Sequence, residues 1–454
     1  MSIEQFGYKQ ELRRTMSYRD LLVYGMIFMV PIAPFGIYGY VFEASQGMVS
    51  MAYLLGLVGM LFTALSYAAM SRDFPIAGSA YAYTSRGAHP AVGFMCGWLL
   101  LLDYILVPAL LFVIAANSLQ ALLPALPKGV WVLGFVLLCS VVNLRGLSLT
   151  AQVNRWFLAG QLLVLALFVG VGLWALYGRG VGAGALTSQA VYNGHLNWST
   201  VAAAASIAVL SFLGFDGIST LAEEVKPKPG VDERSMVGRA TLAALFIMGA
   251  LFVLQTWIAG DIANGMAFKS PDSAFYEIAG QAGGPWLYAV TALATALAWG
   301  VANALVAQAA VARILFSMGR DQQLPMSGWL ARIHPKHQTP YVATLLVSVL
   351  SLVVGFVFLE KADVLSKLVN FGALTAFVLL NLTVVWHFLV RKRSGRWLLH
   401  GVCPLVGVAI LGFVLLNQDA LTHQMGGAWL ALGLVYFSLM RWVFRRETRI
   451  ESLA

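Results

Sequence analysis

The sequence predicts an all-α polytopic membrane fold of twelve transmembrane helices: a five-plus-five inverted repeat with discontinuous helices 1 and 6, plus two extra helices. Three observations carry that expectation. Hydrophobic residues make up 59% of the 454-residue chain and charged residues 11%, at a mean hydropathy of +0.78; so much apolar surface cannot be hidden in a water-soluble core. Apolar stretches of about 17 to 25 residues, the length that crosses about 30 Å of hydrocarbon, recur along nearly the whole chain. Two of them are interrupted near their middle, one by Pro31, Pro34, Gly36 and Gly39 and the other by Gly214, Asp216 and Gly217. Loosened backbone at membrane depth survives only where protein covers it or a cavity needs it.

Taken in order, the expected spans lie at 20–44, 50–71, 91–116, 129–144, 153–177, 199–222, 237–260, 284–312, 340–359, 364–390, 399–417 and 426–444. The first is led by a charged tail, residues 1–19, with Glu4, Lys9, Glu11, Arg13 and Arg14 running straight into a full-length apolar segment. That pattern predicts a retained anchor in place of a cleavable signal. Residues 20–177 then form the first repeat and 199–390 the second. The two interrupted spans each open a block of five, and because five is odd the second block enters the membrane from the opposite side. Helices 11 and 12, in 399–444, fall outside the repeat and take a structural or dimer-contact role; 445–454 is a short tail. The connections are too short for any soluble domain, so 1–454 is one membrane domain. Between spans 2 and 3, residues 74–81 are too short and rich in small residues to cross and predict a hairpin. Pro271 and Asp272 predict the first turn of a short surface helix or lid through Ile278.

The net charge of +9 does not point to nucleic acid. Of the 29 basic residues, 24 fall in alternate loops beginning with the N-terminal tail and 5 in the others. That asymmetry puts both termini in the cytoplasm of a multi-pass inner-membrane protein in contact with the lipid bilayer. Cys96, Cys139 and Cys403 lie in or beside spans and suggest neither a disulfide framework nor a metal site; no cofactor is expected.

Ionisable groups inside spans cost about 2.5 to 3.5 kcal/mol each at the centre, so each needs a reason. Asp103, midway along span 3, and Asp216, at the second break, are the two candidates to hold a cationic amine or exchange a proton. The competing reading makes each an acceptor for freed backbone N–H groups. A half-helix starting after Gly36 or Gly39 would aim N–H groups at a substrate carboxylate, while carbonyls freed around Phe212 to Phe215 would accept from an ammonium. An α-amino acid satisfies both. Phe35, Tyr104, Phe212, Phe215 and Trp299 offer faces to close over a cation or simply pack. Asn303, Gln308, Asn370 and Asn381 read as interhelical hydrogen bonds. Glu223, Glu224, Arg13, Arg14, Arg19, Arg320 and Asp321 are candidates for inner-face gate pairs or ordinary interfacial charge; Glu277 is the outer-face candidate.

Six segments in order, 74–83 (FPIAGSAYAY), 93–108 (GFMCGWLLLLDYILVP), 211–224 (SFLGFDGISTLAEE), 317–325 (SMGRDQQLP), 334–340 (HPKHQTP) and 370–377 (NFGALTAF), resemble the amino acid–polyamine–organocation permeases, and within them the bacterial putrescine importers. The resemblance covers nearly the whole chain. It implies an inner-membrane carrier that imports a small amine or amino acid by alternating access, with protons. Carried over residue by residue, the substrate positions are Phe35, Gly36, Ile37 and Gly39 in the first broken helix, Phe212, Gly214, Phe215 and Asp216 in the second, and Asp103, Tyr104 and Trp299. One departure stands out: those importers carry an acidic residue at the unwound part of span 1, and residues 31–39 (PIAPFGIYG) contain none. A dication then has Asp103, Asp216 and Glu277 to choose from.

The alternatives are an amino acid permease or exchanger without putrescine activity, and a non-transporting sensor or complex subunit. A channel would need a filter-like repeat, and an enzyme a convergent nucleophile, acid–base pair or metal cluster. The sequence shows neither.

Overall fold

The computed structural model describes residues 16–75, 79–146, 151–194, 196–226, 233–320, 327–337 and 339–439. Among them the regular secondary structure is all helical, apart from one parallel backbone bridge between Met16 and Val225. The helices are α1 (Tyr18–Met29), α2 (Ala33–Ser45), α3 (Val49–Asp73), α4 (Ser79–Gly87), α5 (Pro90–Leu122), α6 (Lys128–Leu144), α7 (Ala151–Arg179), α8 (Trp198–Ala208), α9 (Glu233–Ile262), α10 (Ala274–Gly283), α11 (Pro285–Leu297), α12 (Ala304–Arg320), α13 (Ser327–Leu330), α14 (Tyr341–Val357), α15 (Ala362–Val384), α16 (Cys403–Leu416) and α17 (Ala420–Ser438). Tight 3₁₀ turns cover Val209–Phe212 and Phe215–Glu224, and π-helical turns cover Ala298–Asn303, Val385–Arg391 and Leu398–Val402.

Among the described residues eight helical stretches are long and apolar enough to cross a membrane, and the bent pair α1–α2 makes a ninth. This is a multi-span membrane protein. Every expected span holds helix, with α6 and α14, at 17 residues each, at the short end of what can cross. The α5 helix goes the other way: its 33 residues reach about 50 Å at 1.5 Å per residue. Against it lies α17, held by reciprocal indole bonds: Trp98 Nε1 donates to the Trp429 carbonyl and Trp429 Nε1 to the Trp98 carbonyl, both at 2.9 Å. Their rings stack at 4.7 Å.

The first interruption falls earlier than expected. The chain turns by 46° between Met29 and Ala33, whereas Gly36 and Gly39 lie inside regular α2. The prolines explain the placement. Pro31 drives the residue before it out of the helical region, and Val30 indeed sits at φ 53°, a conformation that strains a β-branched residue by about 1–3 kcal/mol. Pro34 then occupies the first turn of α2, where its missing N–H matters least. Gly39 serves packing: a Cβ there would lie 2.2 Å from the Pro271 carbonyl oxygen.

The second interruption falls where expected and has a different form. Helix α8 tightens to 3₁₀ at Val209, Leu213 is extended, and Gly214 takes φ 106°, open in practice only to glycine. The two breaks meet here. Gly214 lies against Phe28 of α1, and Gly25 against Ile218.

The short helix after Pro271 begins at Ala274, with Ser273 as its cap, so Pro271 and Asp272 lie in its lead-in and not in its first turn. Of the expected hairpin, α4 and Phe74–Pro75 are described; residues 76–78 lie outside the described residues.

Candidate functional site

Break one is held by an amide from a distant helix. Gln255, on α9 and fully buried, donates Nε2 to the Pro31 carbonyl at 3.1 Å and to Leu251 of its own helix at 3.0 Å. Two amides at the start of α2 are spent locally. Ala33 N–H donates to the Val30 carbonyl at 2.8 Å and Phe35 N–H to the Ile32 carbonyl at 3.0 Å, while Pro34 has no N–H. The expected row of free amides awaiting a carboxylate is therefore not available in this conformation, because the break closes on itself.

Phe35, Gly36, Ile37 and Gly39 are all buried. Phe35 stacks on Phe275 of α10 at 3.9 Å and meets Phe168 of α7 edge-on at 5.7 Å. This closed aromatic cluster, with the Tyr38 ring 5.7 Å from Phe275, seals the α10 side of the first break. Gly36 borders Thr295 and Trp299. Trp299 sits in the π-helical turn of the eighth span, buried, and its Nε1 has no partner among the described residues. A narrow recess opens on the far side of the same break, lined by Phe28, Val30, Gln161, Ala298 and Asn303 among others.

At the second break Asp216 is buried and bonded. Ser79 Oγ donates to its Oδ2 at 3.1 Å, Tyr67 Oη lies 3.1 Å from Ser79 Oγ, and the backbone N–H groups of Gly214, Asp216 and Gly217 face it. Its own carbonyl accepts from Ser219 Oγ at 2.6 Å. Nearby carbonyls are also taken: Leu210 by Leu213 N–H, Gly214 by Gly217 N–H, and Ser206 by Asn370 Nδ2 at 2.7 Å. Phe212 packs among Tyr53 and Phe252, and Phe215 between Tyr67 and Phe377.

Asp103 contrasts with this. Partly exposed on α5 beside Tyr104, it has a sealed Oδ1 with no hydrogen-bond partner among the described residues. Leaving such an acceptor unpaired costs about 1–3 kcal/mol, more if it is charged. The two carboxylates that read alike in the sequence thus differ in what they lack. Asp216 is satisfied by its surroundings; Asp103 is not.

The gate candidates divide as follows. Glu277 accepts from Ser273 Oγ at 2.5 Å and from the Lys269 N–H at 3.3 Å; it caps its own lead-in and bonds no other helix among the described residues. The cross-helix carboxylate on that face is Asp272, which accepts from Tyr40 Oη, from Asn117 Nδ2 at 2.6 Å and from Lys128 Nζ at 2.7 Å. On the opposite face Arg19 is exposed in α1, whose neighbour Asp20 pairs with Arg155 at 3.5 Å. Lys226 N–H donates to the Met16 carbonyl at 2.9 Å, joining the ends of the two broken spans. Arg13, Arg14, Asp321 and the side chains of Glu223, Glu224 and Arg320 lie outside the described residues. A further cluster unread in the sequence joins Asp73 of α3 to buried His387 at 2.9 Å and to Lys392.

Gln255, Ser79, Tyr67 and Asp272 were missed as site residues. A lone glutamine in an apolar span was a usable signal for Gln255. None existed for Ser79, which meets Asp216 across 137 positions of chain.

A helical membrane bundle with two adjacent broken spans and carboxylates within its spans is the build of a permease. Residues 21–420 match the amino acid permease model, and the chain belongs to that family, within the amino acid–polyamine–organocation superfamily. It is a transporter and not an enzyme. It is 33% identical to the low-affinity putrescine importer PlaP of Escherichia coli K12 over 96% of this chain and 95% of that one. It is 28% identical to the branched-chain amino acid permease BcaP of Bacillus subtilis, over 95% and 94%. The methylthioribose transporter of the same organism is 25% identical over 95% and 94%.

Proposed function

We propose that this protein is a secondary transporter that imports a small amine or amino acid across the inner membrane by alternating access, coupled to protons, with both termini cytoplasmic. The unpaired carboxylate oxygen of Asp103 near the second break carries the reading. An ammonium would complete it, and a proton would neutralise it when the ammonium has left; one group then both holds the cargo and couples it. Asp216, already bonded, keeps the second break in shape.

A cationic amine is favoured over a zwitterion. The α2 amides that a carboxylate needs are spent within the first break, and the name of PlaP, putrescine importer, agrees. Amino-acid cargo is the second reading, supported by the name of BcaP, and it requires the first break to open its amides in another conformation. The twelve-helix inverted repeat belongs to the same proposal. The two interrupted spans start corresponding halves, and their broken segments touch at Phe28 and Gly214.

The test is uptake of labelled putrescine and labelled leucine by purified protein in liposomes, with and without an inward proton gradient. Gradient-driven putrescine uptake supports the amine reading. Leucine uptake with little putrescine flux moves the cargo to amino acids, and flux of neither across a wider panel sinks transport.

A further inference from the structure

The face that the charge count places outside carries a second carboxylate site, remote from Asp103. Asp272, just before α10, joins four elements. It accepts from Tyr40 of α2, from Asn117 of α5 at 2.6 Å and from Lys128 at the start of α6 at 2.7 Å, and its position over α2 is fixed by the contact of Pro271 with Gly39. The ion pair is well shielded, with Lys128 14% and Asp272 15% exposed, so it escapes most of the screening that makes surface pairs weak. Lys128 also has somewhere else to go. Its Nζ lies 2.6 Å from Glu360, whose side chain is 69% exposed.

An independent feature points to a ligand. Asn117 is 4% exposed, and while its Nδ2 bonds Asp272 its Oδ1 has no partner among the described residues. One helical turn further along α5, on the same face, Gln120 Oε1 is likewise buried and unpartnered. A carboxylate with one idle amide oxygen on its own hydrogen-bond partner, and a second one turn along the same helix, offers acceptors for the N–H groups of a primary ammonium. Lys128 supplies one such ammonium from within the chain.

We propose that Asp272, Asn117 and Gln120 form an outer-mouth site for a primary ammonium. Lys128 holds the Asp272 part of it while the mouth is shut, and an arriving amine takes Asp272 and the idle amide oxygens, leaves Lys128 on Glu360 alone and frees α10 from α6. The site rests on the transport reading only for its biological use; its chemistry is testable apart from it.

The reporter is Thr295→Cys, with Cys96, Cys139 and Cys403 replaced by alanine. Thr295 is fully buried between Gly36 and Tyr276, beneath α10. Right-side-out membrane vesicles are treated with a membrane-impermeant maleimide in the presence of ethylammonium, putrescine or uncharged butanediol. Both ammonium compounds should speed labelling, by about tenfold if one charge-assisted pair is exchanged, and butanediol should not. Asp272→Asn should label fast and ignore ammonium. Glu360→Gln should raise the ammonium concentration needed for half the effect. Should Asp272→Asn fail to fold, Lys128→Met is the second test, expected to label fast with no further rise.

Labelling that ignores ammonium, or an ammonium response that survives Asp272→Asn, overturns the site and leaves a structural staple. Labelled putrescine uptake in the same vesicles separates the two readings. Ammonium-sensitive labelling without uptake of any cargo keeps the site and sinks transport; uptake without ammonium-sensitive labelling does the reverse.

Discussion

The two interruptions solve one problem, unwound backbone in an apolar bundle, by opposite means. The first bends the chain by 46°, carries no charge, strains Val30, and borrows an amide from Gln255 to cover Pro31. The second leaves the span passing as one helical stretch, Trp198–Ala222, but unwinds it through 3₁₀ turns around a glycine only its own φ admits, and it brings a carboxylate with its own hydroxyl and amide partners. The lesson is that a broken helix is not by itself a binding site. On the proposed function the first break is a hinge sealed by Phe35 and Phe275, and the second is a rigid frame beside the carboxylate that does the binding, Asp103.

The comparison breaks most visibly at Gly214. Gly214→Ala forces a side chain onto φ 106° and puts its Cβ 3.0 Å from the Phe28 Cβ. A strain of about 2 kcal/mol in the transport-competent frame should cut uptake about thirtyfold, read as initial rate in proteoliposomes. Near-native uptake would mean that the second break is no frame. Gln255→Leu comes next. Removing the hydrogen bond to Pro31 should lower turnover about tenfold, as for a bond worth about 1–1.5 kcal/mol, with Gln255→Asn recovering part of it. A fall in melting temperature with unaltered turnover would make Gln255 plain packing.

Smaller effects sharpen the contrast. Asp216→Asn keeps an oxygen for Ser79 and for the neighbouring amides, so uptake should fall only about threefold, the size of a weakened hydrogen bond. The smallest concerns α17, away from both breaks. Burial works against the charge of Asp419, but Lys367 at 2.9 Å and the Thr422 N–H and hydroxyl outweigh it and hold its carboxyl at about 2, against an ordinary 3.8. A depressed carboxyl contributes stability above its unfolded value and loses it as pH falls through its folded one. Native protein should therefore lose more stability than Asp419→Ala between pH 3.8 and about 2, in thermal scans, while uptake at neutral pH is equal.

Much of this fold was legible because hydropathy is a property of windows, and windows survive local error. The breaks were legible as breaks from proline and glycine. The first lies earlier than Gly36 and Gly39 suggest, because small residues in membrane helices equally serve close approach and Pro31 acts on the residue before it. Asp103 and Asp216 were both visible as charges in spans, yet nothing local separated them. What separates them is Ser79 and Tyr67, brought to Asp216 by the fold and not by sequence neighbourhood. Asp272 was read only as a turn residue because its partners Tyr40, Asn117 and Lys128 come from three other elements.

On the proposed function Asp103, and not Asp216, holds the cargo's ammonium. The direct measurement compares Asp103→Asn and Asp216→Asn in equilibrium binding of labelled putrescine, or of whichever cargo the uptake panel selects, to purified protein of verified melting temperature. Asp103→Asn should weaken binding about a hundredfold, the loss of a charge-assisted contact of about 3 kcal/mol, and Asp216→Asn should stay within about threefold. Equal losses, or the larger loss at Asp216, would contradict that reading and return the ammonium to the second break.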